Sequence, residues 1–298
     1  MTKPESHWIL GLVYINLDDP RVLVPVPYKL GWAVNFGNPR AVTAMSWIWG
    51  FFLLALTAIP IAVHPASLSK SPPALFVLIA ASLAALGMLR LNGSFVWSDY
   101  RFVYLTSYGL VAASAGFGVQ GLINGPLVLW WGVNNLSWAH HLVLAPVAAA
   151  AQTFGKWSAI LLILKVRPTS GGRDCIRYGL LVGLGFTIVE IAIFYFRVAW
   201  AEASWSYLGL WERISASMFH IYSGGLVAIA VWTKRPWLLV LVVVIHASMD
   251  YLAGIGGLVT SNSNALEGIF SVLAVVTWVA FLLVECLTRS VDSVLKQP

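Results

Sequence analysis

Long apolar segments constrain this chain more than any other feature of its sequence. A membrane-spanning helix needs about 18 or more mostly apolar residues to cross a hydrocarbon layer ~30 Å thick. Only 10% of the 298 residues are charged, whereas a soluble domain has about 25%. The sequence therefore predicts an all-α, polytopic membrane helix bundle. Its eight predicted transmembrane segments cover residues 41–63, 73–90, 102–124, 141–165, 175–199, 213–233, 236–256 and 266–287.

A further apolar stretch runs from Pro126 to Trp138 and is rich in tryptophan. It is too short to cross the bilayer, and two asparagines interrupt it. Because tryptophan is favoured at the level of the lipid headgroups, we interpret this stretch as an interfacial loop. If it crossed the membrane instead, the chain would have nine spans.

The basic residues predict the orientation of the spans, because Lys and Arg collect in cytoplasmic loops. With eight spans, fourteen of the 18 basic residues fall on the side that holds both termini, and only Lys70 falls on the other side. The remaining three, Lys156, Arg197 and Arg213, lie within spans or at their ends. Both termini are therefore predicted to be cytoplasmic. The net charge of +6 indicates attraction to anionic lipid at the cytoplasmic face, and we expect no nucleic-acid partner.

Four regions can be distinguished along the chain. Residues 1–40 form a cytoplasmic juxtamembrane segment, 41–139 contain scaffold spans and the interfacial loop, 140–290 contain the spans with ionisable residues, and 291–298 form a cytoplasmic tail. The first region contains two turn-forming triplets, Asp18-Asp19-Pro20 and Gly37-Asn38-Pro39. Between them, the valine-rich run 21–26 is compatible with extended structure. The simplest interpretation of this region is a cap on the membrane surface.

The first region also resembles a short domain of unknown function that occurs beside membrane spans in bacterial proteins, some of them similar to the SdpI immunity protein. The resemblance implies a bacterial plasma-membrane protein and implies no chemistry. The matching residues are Tyr14, Asn16, Asp18, Asp19, Pro20, Arg21, Val24, Pro25, Gly31, Trp32, Asn35, Phe36 and Pro39.

Ionisable residues inside spans are functional candidates, because an unpaired charge in the membrane is costly. The fifth span carries Glu190, which shares one helical face with Gly179, Gly183 and Phe186. Small residues allow neighbouring helices to approach closely. We therefore expect Glu190 to point into the bundle and not toward lipid.

Residues on three spans have matching depths. At 1.5 Å per residue, Glu190 lies about 20 Å from Arg177 at the inner surface, and His220 lies about 10–12 Å below the outer surface. On the seventh span His246 and Asp250 lie about 15 Å and 21 Å from the inner surface, one helical turn apart. The sequence thus predicts that these four side chains lie in one layer in the outer half of the bilayer.

Such a layer is compatible with several kinds of chemistry. A buried carboxylate can take a proton from water while an imidazole stabilises an oxyanion. The same four residues could hold a divalent metal such as zinc, although no cofactor is required. They could also relay protons in a transporter. For each residue alone, an interhelical hydrogen bond is the simpler explanation, and Asp250 could serve only to orient the ring of His246.

Three strings, GLGFTIVEIAIFY, ERISASMFHIYSGG and VVVIHASMDYLAG, resemble the PrsW family of intramembrane proteases and the related YhfC-type family. These belong to the superfamily of type II CAAX prenyl proteases. Phe186 and Glu190 match the second family motif, Phe-x-x-x-Glu, and His246 and Asp250 match the third, His-x-x-x-Asp. His220, preceded by Arg213, fits the helix between them. The resemblance covers roughly residues 140–257, and it implies that region 140–290 is a protease-like core.

The first family motif departs from the pattern. There the family has a Glu-Glu pair that activates water, after Ala-Pro and before a basic residue. Ala145-Pro146 and Lys156 are present, but Gln152 and Thr153 stand where the glutamates belong, or alanines if the register slips. A glutamine cannot accept a proton. Lys156 would then need Glu190, Asp250 or a carbonyl as partner, or would be neutral.

The resemblance implies a glutamic-type protease that cleaves a membrane-embedded or juxtamembrane peptide in the outer half of the bilayer. In this reading Glu190 replaces the missing base, and His246 and His220 stabilise the oxyanion. The alternative is a non-catalytic relative that binds a membrane peptide, as an immunity or signalling protein would. A proton- or metal-coupled transporter is a third hypothesis. Transporters commonly have paired inverted halves, and the charge-free first three spans argue against it.

Overall fold

The computed structural model describes residues 7–9, 13–26, 32–38, 40–41, 101–132, 136–169, 171–200, 207–259 and 263–295. Within these residues, six helices are long and apolar enough to cross a membrane. This confirms that the chain has the character of a multi-pass membrane protein. The first two predicted spans, 41–63 and 73–90, lie outside the described residues, so the count of eight stays a prediction. The helices are α1 (Arg101–Trp131), α2 (Trp138–Val166), α3 (Gly172–Trp200), α4 (Tyr207–Thr233), α5 (Trp237–Val259) and α6 (Ser263–Leu295).

The expected interfacial loop is shorter than predicted. Helix α1 continues through Pro126 as far as Trp131, and α2 already begins at Trp138. A proline weakens a helix mainly because it lacks one backbone donor. In an apolar environment the neighbouring residues still favour the helix, because a helix satisfies their backbone hydrogen bonds. Composition alone therefore placed the end of the span too early.

The N-terminal region contains four short strands: β1 (Trp8–Ile9), β2 (Val13–Tyr14), β3 (Leu23–Pro25) and β4 (Trp32–Val34). Strands β1 and β2 pair antiparallel, as do β3 and β4, in which Leu23 faces Val34. The extended run predicted at 21–26 thus corresponds to β3. The all-α class describes the spans, and the juxtamembrane region is a small β unit.

Two polar side chains stabilise this β unit. Asn35 is fully buried; its amide nitrogen donates to the carbonyls of Asn16 and Asp19, and its oxygen accepts from the backbone of Asn16. The Asp19 carboxylate accepts hydrogen bonds from Arg21, and the adjacent guanidinium holds the pKa of Asp19 well below its usual range. Tyr108 of α1 donates to the carbonyl of Phe36 at 3.1 Å, so the β unit contacts the helical bundle.

Helices α3 and α4 form the centre of the described bundle. They contain the most buried spans, whereas α1 and α6 leave most of their surface exposed. Gly179 lies against the backbone of Gly224, and Gly183 lies against the carbonyl of His220. The predicted small-residue face of α3 is therefore its contact with α4. A tight turn at Lys234, whose φ of 53° is left-handed, then leads into α5.

Replacing Gly183 with alanine is expected to lower the free energy of unfolding by about 2 kcal/mol. The added methyl group would collide with the backbone of His220 and Ile221, so α3 and α4 would have to separate. Thermal unfolding of the detergent-solubilised protein measures the loss. The matched control is Gly118→Ala on α1, where a methyl group meets nothing within 4 Å. Equal melting temperatures for the two variants would contradict the close helix contact.

Candidate active site

The Glu190 carboxylate of α3 lies between two basic side chains of α4. One of its oxygens, Oε2, is 2.9 Å from Nε2 of His220, and the other, Oε1, is 3.6 Å from the guanidinium of Arg213. Arg213 also pairs with its neighbour Glu212. The side chains of His220 and Arg213 are almost completely buried, whereas that of Glu190 is 22% exposed. The contact of α3 with α4 therefore produces a carboxylate that is held by cationic or polar groups and still partly accessible.

Lys156 of α2 is fully buried on the opposite side of His220. Its ammonium lies 2.8 Å from His220 Nδ1 and donates to Ser223 Oγ, also at 2.8 Å. It also lies over the rings of Phe186 and Phe219. The sequence predicted that Lys156 either contacts Glu190, Asp250 or a carbonyl or is neutral. Among the described contacts its direct partners are instead an imidazole and a hydroxyl, so the predicted contacts are not formed and the neutral alternative stays open.

The contacts of His220 differ at its two nitrogens. A protonated lysine can only donate, so with Lys156 charged Nδ1 of His220 accepts and the ring proton is on Nε2, the nitrogen that faces Glu190. Phe186 stacks on the same imidazole with ring centroids 4.7 Å apart. Lys156, Phe186 and Glu190 thus contact His220 from three sides. The side chains of Lys156, His220 and Glu190 form a continuous polar chain from α2 through α4 to α3.

His246 and Asp250 of α5 complete the layer. The rings of His246 and His220 are 5.2 Å apart and meet edge to face, and Phe219 contacts His246 at 4.7 Å. His246 Nε2 is 3.7 Å from Asp250 Oδ1, which is too long for a hydrogen bond. Among the described residues, His246 Nδ1 and Asp250 Oδ2 have no hydrogen-bond partner. The four residues predicted to share one depth are therefore brought together. Glu190 Oε2 also has no hydrogen bond of good geometry among the described residues, although it lies 2.9 Å from His220 Nε2.

A cavity of about 700 Å³ opens beside this cluster. Its walls include Glu190, Arg213 and Asp250 on one side, and a smaller cavity of about 50 Å³ reaches His220 and His246. Ligand sites for small organic molecules and peptide segments typically have volumes of about 300–1,000 Å³. The larger cavity therefore has room for a short length of polypeptide next to the carboxylates.

The first-motif position also faces the larger cavity. Gln152 lines it, whereas Thr153 is buried elsewhere and does not. Gln152 donates from Nε2 to Oε1 of Gln120 at 3.0 Å. This part of the cavity wall thus carries neutral amides.

Several residues of the site were not identified from the sequence. Ser223 has no ionisable group and receives its role only from Lys156, although its i+3 position after His220 placed it on the same helical face. Gln120 and Asn124 lie on α1, which was interpreted as scaffold because it contains no charged residue in its interior. The polar residues that line the cavity and were missed are Gln120, Asn124, His141 and Glu212.

A metal site finds no support in the described part of the chain, where no three His, Cys, Asp or Glu side chains are grouped closely enough to bind one ion. Comparison with known proteins adds no assignment. No family model, curated protein or solved structure matches this chain. Membership of the PrsW-type superfamily therefore stays a prediction, and the functional argument depends on the geometry of the cavity.

Proposed function

We propose that this chain is an intramembrane peptidase of the glutamic type, which hydrolyses a membrane-embedded or juxtamembrane peptide in the outer half of a bacterial plasma membrane. One observation carries the proposal. The Glu190 carboxylate is in the wall of a cavity of about 700 Å³ and is held there by His220 and Arg213. A fixed, partly accessible carboxylate beside a peptide-sized cavity is what a general base requires.

The hydrolytic step can be assigned to these groups. Glu190 takes a proton from a water molecule, and the oxygen of that water forms a bond to the carbonyl carbon of the peptide. The carbonyl electron pair moves to its oxygen, which an imidazole N–H of His246 stabilises. The carbon–nitrogen bond then breaks, and the proton held by Glu190 is transferred to the leaving nitrogen.

The geometry favours different roles for the two histidines. Both nitrogens of His220 are occupied, one by Lys156 and the other by Glu190. His246 has a nitrogen without a partner among the described residues. We therefore assign the oxyanion to His246 alone and assign to His220 the positioning of Glu190, which revises the sequence-based expectation that both histidines bind the oxyanion.

The direct test uses the full-length protein in liposomes with a synthetic transmembrane peptide. The peptide carries a fluorophore and a quencher that flank the peptide bonds of its outer half. The proposal expects a time-dependent rise in fluorescence and two fragments in the mass spectrum. A metal analysis of the purified protein accompanies the assay. A stoichiometric metal that is lost in His220→Ala would contradict the glutamic mechanism.

A second candidate function is non-catalytic binding of a membrane peptide. The amide of Gln152 favours it, because this residue stands where the PrsW-type pattern has its water-activating glutamates and cannot accept a proton. Saturable binding of the transmembrane peptide without cleavage, under conditions in which the protein is folded, would select this candidate.

Lys156→Met is expected to slow cleavage about tenfold without lowering the melting temperature. Methionine fills a similar volume but donates nothing, so Nδ1 of His220 loses the donor that fixes its tautomer. Among the described contacts Lys156 touches no carboxylate, so its removal breaks no salt bridge and also removes the cost of burying a charge. The matched control is Lys165→Met, at the exposed end of the same helix. Parallel losses of activity and stability in Lys156→Met would instead indicate a purely structural lysine.

A further inference from the structure

One wall of the large cavity is polar but uncharged. It is formed by Gln120 and Asn124, which lie one turn apart on α1, and by Gln152 on α2. The two helices approach closely here, since Gly116 of α1 lies directly against the backbone of Gln152 on α2. We call these three side chains the amide wall. It lines the same cavity as the charged residues Glu190, Arg213 and Asp250.

The amide wall has more hydrogen-bonding capacity than its own contacts use. Gln152 donates to Gln120, and Asn124 donates to the carbonyl of Leu144, both at 3.0 Å. The side-chain oxygens of Gln152 and Asn124 are both buried and have no partner among the described residues. Gln152 as a whole is only 4% exposed. A buried acceptor without a partner is unfavourable, so these two oxygens favour a ligand that brings donors.

The donor that a membrane peptide offers is its backbone N–H group. In hydrocarbon a helix satisfies its backbone internally, and an unwound segment there exposes N–H and C=O groups that have no partner. A peptide bond must leave the helix before water can reach its carbonyl. A cavity that accepts such a segment therefore has to replace the lost helical hydrogen bonds, and carboxamides supply both donors and acceptors.

We propose that the amide wall binds the unwound backbone of a transmembrane peptide, with the side-chain oxygens of Gln152 and Asn124 accepting from its N–H groups. This inference rests on the proposed function, which requires the same ligand, a membrane peptide. The wall is also close to the residues that would carry out the reaction. Gln152 lies one helical turn before Lys156, whose ammonium contacts His220 beside Glu190. A wall of neutral amides suits an uncharged peptide group. A wall that contained a cationic side chain would instead favour a ligand with a carboxylate.

The test measures binding separately from cleavage. Full-length protein carrying Glu190→Gln, which leaves the peptide intact, is placed in nanodiscs with a labelled Leu/Ala-rich transmembrane peptide. One version has a central Asn-Pro pair that interrupts its helix, and the other has Leu-Ala at those positions. Gln152→Leu and Asn124→Leu are each expected to weaken binding of the interrupted peptide about tenfold, the loss expected for one buried hydrogen bond. Binding of the uninterrupted peptide is expected to change little.

The matched control is Thr153→Val. It removes a buried hydroxyl that also lacks a partner among the described residues, and it does so next to Gln152 but away from the cavity. Thr153→Val should bind both peptides as the parent protein does. Equal affinity of all variants for the interrupted peptide, or no binding by the parent protein, would overturn the proposal and leave water as the partner of the wall. An equal loss in Thr153→Val would also overturn it, because the effect would then be structural.

The two proposals can fail separately. Amide-dependent binding without any cleavage by the wild-type chain would reject the peptidase and retain the wall. Cleavage that requires Glu190 but is indifferent to Gln152 and Asn124 would reject the wall and retain the peptidase.

Discussion

Replacing Glu190 with glutamine is expected to reduce cleavage of the transmembrane peptide by roughly 1,000-fold, within the range for loss of a general base. Glutamine keeps the size of the side chain and can still face His220 and Arg213, but it cannot take the proton of the attacking water. Stopped-assay fluorescence and mass spectrometry measure the residual rate. Peptide binding should persist, because the cavity keeps its shape.

The chain offers a matched control for this substitution. Glu285 on α6 follows Phe281 with the same spacing that separates Glu190 from Phe186, but it lies at a different depth and lines neither cavity. Glu285→Gln should cleave at the wild-type rate. Equal rates for wild type and Glu190→Gln would exclude Glu190 as the base and remove the main support for the proposed function.

Replacing His246 with alanine is expected to lower the cleavage rate about 100-fold while peptide affinity changes little. An oxyanion donor stabilises charge that exists only in the transition state, so its loss lowers the rate more than it affects binding. Alanine also leaves a void beside Phe219 and His220. His246→Phe keeps an aromatic ring in that space and should show the same loss, which separates chemistry from packing.

Ser248→Ala is the control on the same helix, since Ser248 bonds only to the carbonyl of Val244 in its own helix among the described contacts. It should retain wild-type cleavage. If His246→Phe cleaved as fast as wild type, the oxyanion would need a different donor. A parallel fall in affinity and rate would indicate that His246 binds the peptide in its ground state.

The sequence predicted that residues of three helices share one level of the bundle. Glu190, His220 and His246 were expected in one layer, and the structure brings them into contact. Depth can be predicted because the rise per residue of a helix is fixed and the ends of each apolar segment mark the membrane surfaces. The direction of Glu190 was also predictable, because Gly179 and Gly183 mark the face of α3 that approaches α4.

The partners within the layer could not be predicted in the same way. Lys156 was expected to contact a carboxylate or a carbonyl or else to be neutral, and the structure places it against His220 and Ser223. Which atoms meet depends on the rotation and lateral position of each helix, and these follow from side-chain packing across several helices at once. The end of α1 was also misplaced, because tertiary packing and the demand for backbone hydrogen bonds in lipid override a local proline and asparagine signal.

Apolar length and the spacing of ionisable residues thus determined a bundle of long apolar helices with a polar layer, and basic-residue asymmetry predicted that this layer lies in the outer half of the membrane. Only the tertiary structure decided that Glu190 is held by His220 and Arg213, and that Gln120, Asn124 and Gln152 line the same cavity. The physical reason is that distance along a helix is a property of one segment. Contact between side chains on different helices exists only after the helices pack.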